Sequence, residues 1–500
     1  MVLLERNIVA NYAASIWTAL MGIVCVPLYI RFMGVESYGL VTFLASMQLV
    51  LQVLDLGMGP AVTRELAKGA FTQGREQTCR NLVGTVERVY CFVAVVIGLT
   101  IVVLATPIAE SWLNPRNLDV ASLKQALIIA GLMICVRWPF TFYAHGLMGL
   151  QQQVHLSWVI IVGTTCKSAG AVLVLWVVSP TIQSFLWVQT LVGACETLVA
   201  YWLLRMHLPA SPSPQRLALG ELSKIWRFSA GMTGIAATGM LLLQGDKVLL
   251  SGILPLEPFG YYSLASVLAG TLALMANPIA AALFPRFCQL LVSRDQRGLN
   301  SLYHTSCQTV SVVIVPAALV LFFFGEPVLE AWTGNPTVAH HVYPVLRILV
   351  IAAAIWALMV VPFCLSVACG WVSLPLFGQM LGLAILVALM DPAVKRWGSE
   401  GAALVLVVSY LSNFAATVLR FNTRFFKEQK STFYVYDLAA PILPALLMCC
   451  LVWALVPADA SLAMSLGCVG ALLGASMGAA ALSSPHTRVW IFSKMRTRNL

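Results

Sequence analysis

Charge is scarce in this chain. Only 10% of its 500 residues are Asp, Glu, Lys or Arg, against about 25% in a typical soluble domain, and that deficit excludes a water-soluble globule. No run matches G-x-x-x-x-G-K-[ST], so a nucleotide-driven motor is excluded as well. The thirteen cysteines fall mostly inside or beside apolar runs (Cys25, Cys135, Cys166, Cys364, Cys449, Cys450) and show no ligand spacing. They read as small core hydrophobes, and no metal site is expected. The net charge of +10 comes without a basic patch interleaved with aromatics, so nucleic acid is not an expected partner.

What is abundant is apolar sequence, 60% of the chain. Stretches of about 20 apolar residues, enough to cross a hydrocarbon core of about 30 Å, recur from end to end. The expected spans are 9–30, 38–62, 84–106, 123–147, 155–178 and 182–204, then 229–251, 260–290, 306–325, 342–366, 372–390 and 399–422, then 437–456 and 461–482. This predicts an all-α polytopic membrane protein with fourteen helices grouped six, six and two. The corresponding domains are 1–208, a linker 209–228 opened by Pro209-Ala-Ser-Pro-Ser-Pro214, a second lobe 229–425, and 426–500 with a basic tail.

Lys and Arg sit in alternate loops. One side gathers Arg64, Lys68, Arg75 and Arg80, the stretch after the sixth span, and the tail with Arg488, Lys494, Arg496 and Arg498. The opposite side has Arg31, Arg116, Lys124, Lys395 and Arg396. By the positive-inside rule both termini are expected in the cytoplasm.

The two large groups of spans carry a matched element. Gly34-Val-Glu-Ser-Tyr-Gly39 and Pro255-Leu-Glu-Pro-Phe-Gly260 each place an acid, one residue, an aromatic and Gly between two spans, and Leu-Ala-Ser follows at Leu44–Ser46 and Leu264–Ser266. A duplicated helical bundle is the construction by which many secondary transporters build a central pathway.

Polar residues inside spans cost free energy in lipid and mark cavities or partners. Helical spacing groups them into stripes: Asn11, Ser15 and Thr18; Gln48, Gln52 and Asp55; Arg137, Thr141 and His145; Thr164, Lys167 and Ser168; Gln189 and Glu196; and Gln244, Lys247 and Ser251. Each stripe either lines a hydrated cavity or makes interhelical hydrogen bonds. Asp246 points about 100° from Lys247 and either meets another group or forms a local, self-neutralising pair with Lys247. Arg347 either joins the cationic set or snorkels to the interface. Among prolines within or at the ends of spans, Pro278 and its counterpart Pro60 are the hinge candidates.

Several runs carry a family resemblance. Tyr38-Gly-Leu-Val-Thr-Phe-Leu-Ala, Leu54-Asp-Leu-Gly-Met-Gly-Pro60, Thr63-Arg-Glu65, Gln244-Gly-Asp-Lys-Val-Leu-Leu-Ser251 and Phe259-Gly-Tyr-Tyr-Ser-Leu-Ala265 resemble the polysaccharide-biosynthesis branch of the multidrug/oligosaccharidyl-lipid/polysaccharide (MOP) exporter superfamily, the bacterial O-antigen and capsule repeat-unit flippases. The resemblance implies two six-helix lobes around a cavity that opens alternately to either side. It implies a lipid-linked oligosaccharide as substrate, a short glycan on undecaprenyl pyrophosphate turned from the cytoplasmic to the periplasmic leaflet of the inner membrane. The last two helices would accommodate the lipid tail, and a polysaccharide polymerase with its chain-length machinery would be partners. Arg137, Lys167, Lys247 and Arg347 are then the cations that receive the substrate, with only Lys247 carried by a motif match.

Without a nucleotide site, energy is expected from an ion gradient or from consumption of the product. Asp55, Glu196 and Asp246 are the candidates to bind H+ or Na+, and no other cofactor is expected. One rival is a drug or organic-cation antiporter of the same superfamily, which needs an acidic, aromatic cavity. Another is a membrane-embedded polymerase or ligase, which needs acid, base or metal groups on a sizeable outer loop. Here Glu326 and Glu330, beside His340 and His341, are the only paired carboxylates on an outer loop, and a transporter without catalytic residues is the expectation.

Overall fold

Inside a bilayer the backbone has no water to bond, so a chain this apolar must satisfy its peptide groups within helices. The computed structural model describes residues 2–55, 58–69, 76–113, 115, 118–208, 219–371, 373–420, 433–456 and 461–484. Its helices are α1 (Val2–Leu51), α2 (Met58–Gly69), α3 (Glu76–Pro107), α4 (Val120–Gly149), α5 (Gln153–Val177), α6 (Ile182–His207), α7 (Leu219–Ile253), α8 (Leu256–Val292), α9 (Gln296–Thr333), α10 (Pro336–Ala368), α11 (Ser373–Phe414), α12 (Ala440–Leu455) and α13 (Leu462–Ser483).

Eleven helices among the described residues are long and apolar enough to cross a membrane. Two of them are too long for one crossing. At 1.5 Å per residue, α1 would reach about 75 Å, and it breaks at Gly34 (φ 80°, ψ 165°). Likewise α11 breaks at Gly398 (φ 59°, ψ −140°). Only glycine enters this region without a steric penalty, so these two residues turn one long apolar helix into two spans. Counting α1 and α11 twice and adding α7 accounts for the fourteen expected spans.

Two details differ from the expectation. The second span is not one helix: the chain tightens into a 3-10 turn at Gln52–Asp55 before α2 begins. The 3-10 turn advances about 120° per residue, so side chains three apart eclipse and Gln52 and Asp55 stay on one face. In addition, α7 starts at Leu219, within the stretch expected as linker; residues 209–218 lie outside those described.

The chain divides into two compact units, one of residues 1–240 with 251–260, the other of residues 241–250 with 261–500. In the first, α4 packs on α3 and α6, and α5 packs on α1 and α6. In the second, α10 packs on α9 and α11, while α12 and α13 pack on each other and on α9, around a core of Val320, Phe324, Cys449 and Leu472. Lipid is as apolar as these side chains, so close van der Waals fit holds the contacts together.

Candidate functional site: cation and acid pairs in each unit

Three neighbouring helices of the first unit bring Arg137, Lys167 and Glu196 together. Lys167 on α5 is 8% exposed and its Nζ donates to Glu196 Oε2 on α6 at 2.8 Å; Glu196 is 5% exposed. One turn before Glu196, Gly193 faces the Arg137 side chain from α4, whose charge reaches Lys167. Gly163 on α5 leaves the space that the Glu196 carboxylate fills. The cluster therefore holds two cations and one anion in a largely dry place, with Arg137 half-buried at its edge.

The rest of the first-unit stripes divide by role. Asp55 Oδ2 accepts from the Gly59 backbone N–H at 3.2 Å, securing the start of α2, and Oδ1 accepts from the Tyr90 hydroxyl. Its oxygens are thus occupied by neighbours. His145 pairs with Thr63, which lies 3.2 Å from Nδ1 and donates to the His145 carbonyl at 2.9 Å. Asn11 accepts from Ser157 at 3.3 Å, Ser15 bonds its own helix, and both are exposed, as is Thr18. Gln52 is exposed, while Gln48, Thr141 and Gln189 are half-buried. The side chains of Pro60, near the start of α2, and Pro278, within α8, lie outside the described residues.

The first unit also joins the two copies of the matched element. A Cβ on Gly39 would stand 2.6 Å from the Leu256 carbonyl oxygen and 3.2 Å from the Gly260 Cα, and a Cβ on Gly260 would collide with the Val35 carbonyl. The glycine that closes one copy therefore touches the glycine that closes the other. In the same unit, Trp112 Nε1 donates to Ser251 Oγ at 3.1 Å.

The second unit builds a comparable acid and base pair around Lys247. A cavity of about 230 Å³ is lined by Gln244, Asp246, Lys247, Ser266, Trp356 and Tyr410, among others. Asp246 is 1% exposed. Its Oδ2 accepts from the Tyr262 hydroxyl at 2.7 Å, while Oδ1 has no hydrogen-bond partner and faces Lys247 Nζ at 3.7 Å. The adjacent positions thus line one cavity, with Asp246 shared between the Tyr262 hydroxyl and Lys247. Arg347 lies elsewhere, exposed and stacked on Phe322.

Two polar networks escaped the sequence reading. Glu87 accepts from the Tyr143 hydroxyl at 3.0 Å and pairs with Arg205, which also lies over the Tyr201 ring. His304 Nδ1 stands 2.5 Å from Asp437 Oδ2, and Gln308 donates to Asp437 Oδ1 at 2.9 Å. The i, i+4 spacing of His304 and Gln308 was a usable signal. Both sit beside a predicted span boundary, where polar residues are ordinarily solvated.

The chain is similar to several known proteins. A family model described as polysaccharide biosynthesis protein matches residues 4–291. The chain is 24% identical over 237 residues to the succinoglycan biosynthesis transport protein ExoT of Rhizobium meliloti (strain 1021), a match that spans 46% of this chain and 46% of that relative. Among solved structures it is similar to the lipid II flippase MurJ in an inward closed conformation, at TM-score 0.70 and 11% identity, covering 94% of this chain and 98% of that one. It is equally similar to an inward-facing multidrug resistance MATE family transporter of the MOP superfamily, at TM-score 0.70 and 12% identity, covering 83% and 96%. At such identities the likeness is one of fold. The family match covers more than half of the chain and makes it a member of the polysaccharide biosynthesis protein family.

Proposed function

We propose that the chain is a flippase for lipid-linked glycans. It carries repeat units on undecaprenyl pyrophosphate from the cytoplasmic to the periplasmic leaflet of the bacterial inner membrane, by ion-coupled alternating access of its two lobes. The observation that carries this reading is that each unit holds a lysine against a buried acid, Lys167 with Glu196 and Lys247 with Asp246.

A pyrophosphate leaving water needs charge-assisted donors, and Lys and Arg supply them. In the resting arrangement Glu196 already occupies Lys167. Protonation of Glu196, or binding of Na+ to it, removes that competition and leaves Lys167 and Arg137 to the phosphate. Ion and substrate then favour each other, and the coupling is reciprocal. Asp246 offers the same chemistry beside Lys247, with one oxygen free of hydrogen bonds. The prenyl chain stays in lipid while the lobes rearrange around the headgroup.

The test is flipping of a fluorescent undecaprenyl-pyrophosphate glycan in proteoliposomes, with and without a proton or sodium gradient. Wild type should flip faster with one of the gradients, and Glu196→Gln should lose that dependence. Equal rates under all gradients would remove ion coupling; no movement of the glycolipid would remove the flippase reading.

A further inference from the structure

A second cavity in the second unit has a different chemistry. It encloses about 660 Å³ where the C-terminal ends of α9 and α12 meet the N-terminal ends of α10 and α13, and its charged lining is Arg347 with Glu326 and Glu330. The sequence dictates its construction. Pro327 has no N–H, so the Phe323 carbonyl four residues earlier loses its helical donor, and the backbone leaves the helical region at Phe324 (φ −122°, ψ 23°). The Tyr343 hydroxyl donates to the carbonyls of Phe322 and Phe323 at 3.1 Å each. That bond pins α10 to α9. One turn further along α10, the Arg347 guanidinium lies 4.5 Å from the Phe322 ring centre and 5.6 Å from that of Tyr343.

A ring face holds a guanidinium while leaving its N–H edge available. Arg347 is exposed, and no carboxylate among the described residues lies within ion-pair distance of it. Glu326 meets only the exposed His340, at 3.1 Å, and Glu330 makes no ion pair among the described residues. The cavity thus presents both signs of charge, neither cancelled by the other. Leu443, Leu447, Leu451 and Leu455 of α12 are all more than half exposed and share one face at i, i+4 spacing. Trp453, a ring of the cavity wall, lies about 160° round the same helix from Leu451 and Leu455.

We infer that this cavity binds the headgroup of a zwitterionic bilayer lipid of the phosphoethanolamine type. Arg347 takes the phosphate, Glu326 and Glu330 take the ammonium, and the acyl chains lead out of the cavity into the surrounding lipid. Trp453 occupies the interfacial level that tryptophan favours. An anionic lipid satisfies Arg347 but sets its excess charge against two carboxylates. A neutral glycan brings neither charge. This site is separate from the cavity of Lys247 and stands whether or not the chain flips glycolipids.

The test is native mass spectrometry on the purified full chain, titrated with phosphatidylethanolamine, phosphatidylglycerol or soluble phosphoethanolamine. Wild type should retain phosphatidylethanolamine roughly five- to tenfold more tightly than phosphatidylglycerol, and Arg347→Gln should weaken that binding about tenfold. The double change Glu326→Gln with Glu330→Gln should invert the preference towards phosphatidylglycerol. Equal retention of both lipids by wild type, or unchanged selectivity in the double variant, overturns the inference. Displacement of the lipid by soluble phosphoethanolamine at equal concentration overturns its assignment to the bilayer.

Discussion

Lys167 and Glu196 lie 29 positions apart and meet at 2.8 Å, and removing either one alone exposes the other to a medium that does not solvate it. Breaking a buried pair from one side costs about 3–5 kcal/mol, whereas replacing both partners with apolar residues is often neutral. Lys167→Ala should therefore lower the melting temperature of the purified protein sharply. The double change Lys167→Met with Glu196→Leu should restore most of it while leaving substrate binding impaired. If the double variant binds undecaprenyl-pyrophosphate glycan like wild type, the pair is structural only. If Glu196 competes with phosphate for Lys167, Glu196→Gln should bind an anionic headgroup roughly tenfold more tightly by isothermal calorimetry. The sequence placed Arg137, Lys167 and Glu196 on polar stripes but did not pair them. Spacing gives the face of one helix, whereas pairing depends on the register between two.

At the scale of elements, the matched stretches 34–39 and 255–260 were legible as a repeat, but not as neighbours. Their contact depends on Gly39 and Gly260 having no side chain, and overpacking a close contact costs about 1–3 kcal/mol. Gly39→Ala should increase hydrogen exchange in both stretches together, although only one is altered. Loss of protection confined to residues around 39 would contradict the contact. The 3-10 turn at Gln52–Asp55 was not legible in the hydropathy pattern. The run looks helical by hydropathy, yet the turn directs Asp55 to Tyr90 and the Gly59 amide. An acid that reads as exposed to a cavity is thereby engaged in joining α2 to α3. Likewise His304, Gln308 and Asp437 form one buried network because α9 extends ten residues before its expected start at 306. A side chain that hydropathy assigns to the water boundary then lies within the packed helix.

For the molecule as a whole, the number and order of spans were written in hydropathy, since the bilayer imposes a minimum length on each crossing. Gly34 and Gly398 divide the two overlong helices, so even these breaks have a residue behind them. Substrate chemistry is less directly encoded, because it depends on which intramembrane charges remain available once the helices have paired. The account assigns Lys167 and Lys247 to a lipid-borne pyrophosphate. The most direct test measures binding of undecaprenyl-pyrophosphate glycan and of a lipophilic cation to the purified protein, alongside Lys167→Gln and Lys247→Gln. The account predicts that wild type prefers the anionic glycolipid and that each substitution weakens it about tenfold. Preference for the cation, or glycolipid binding unchanged in both variants, would contradict it.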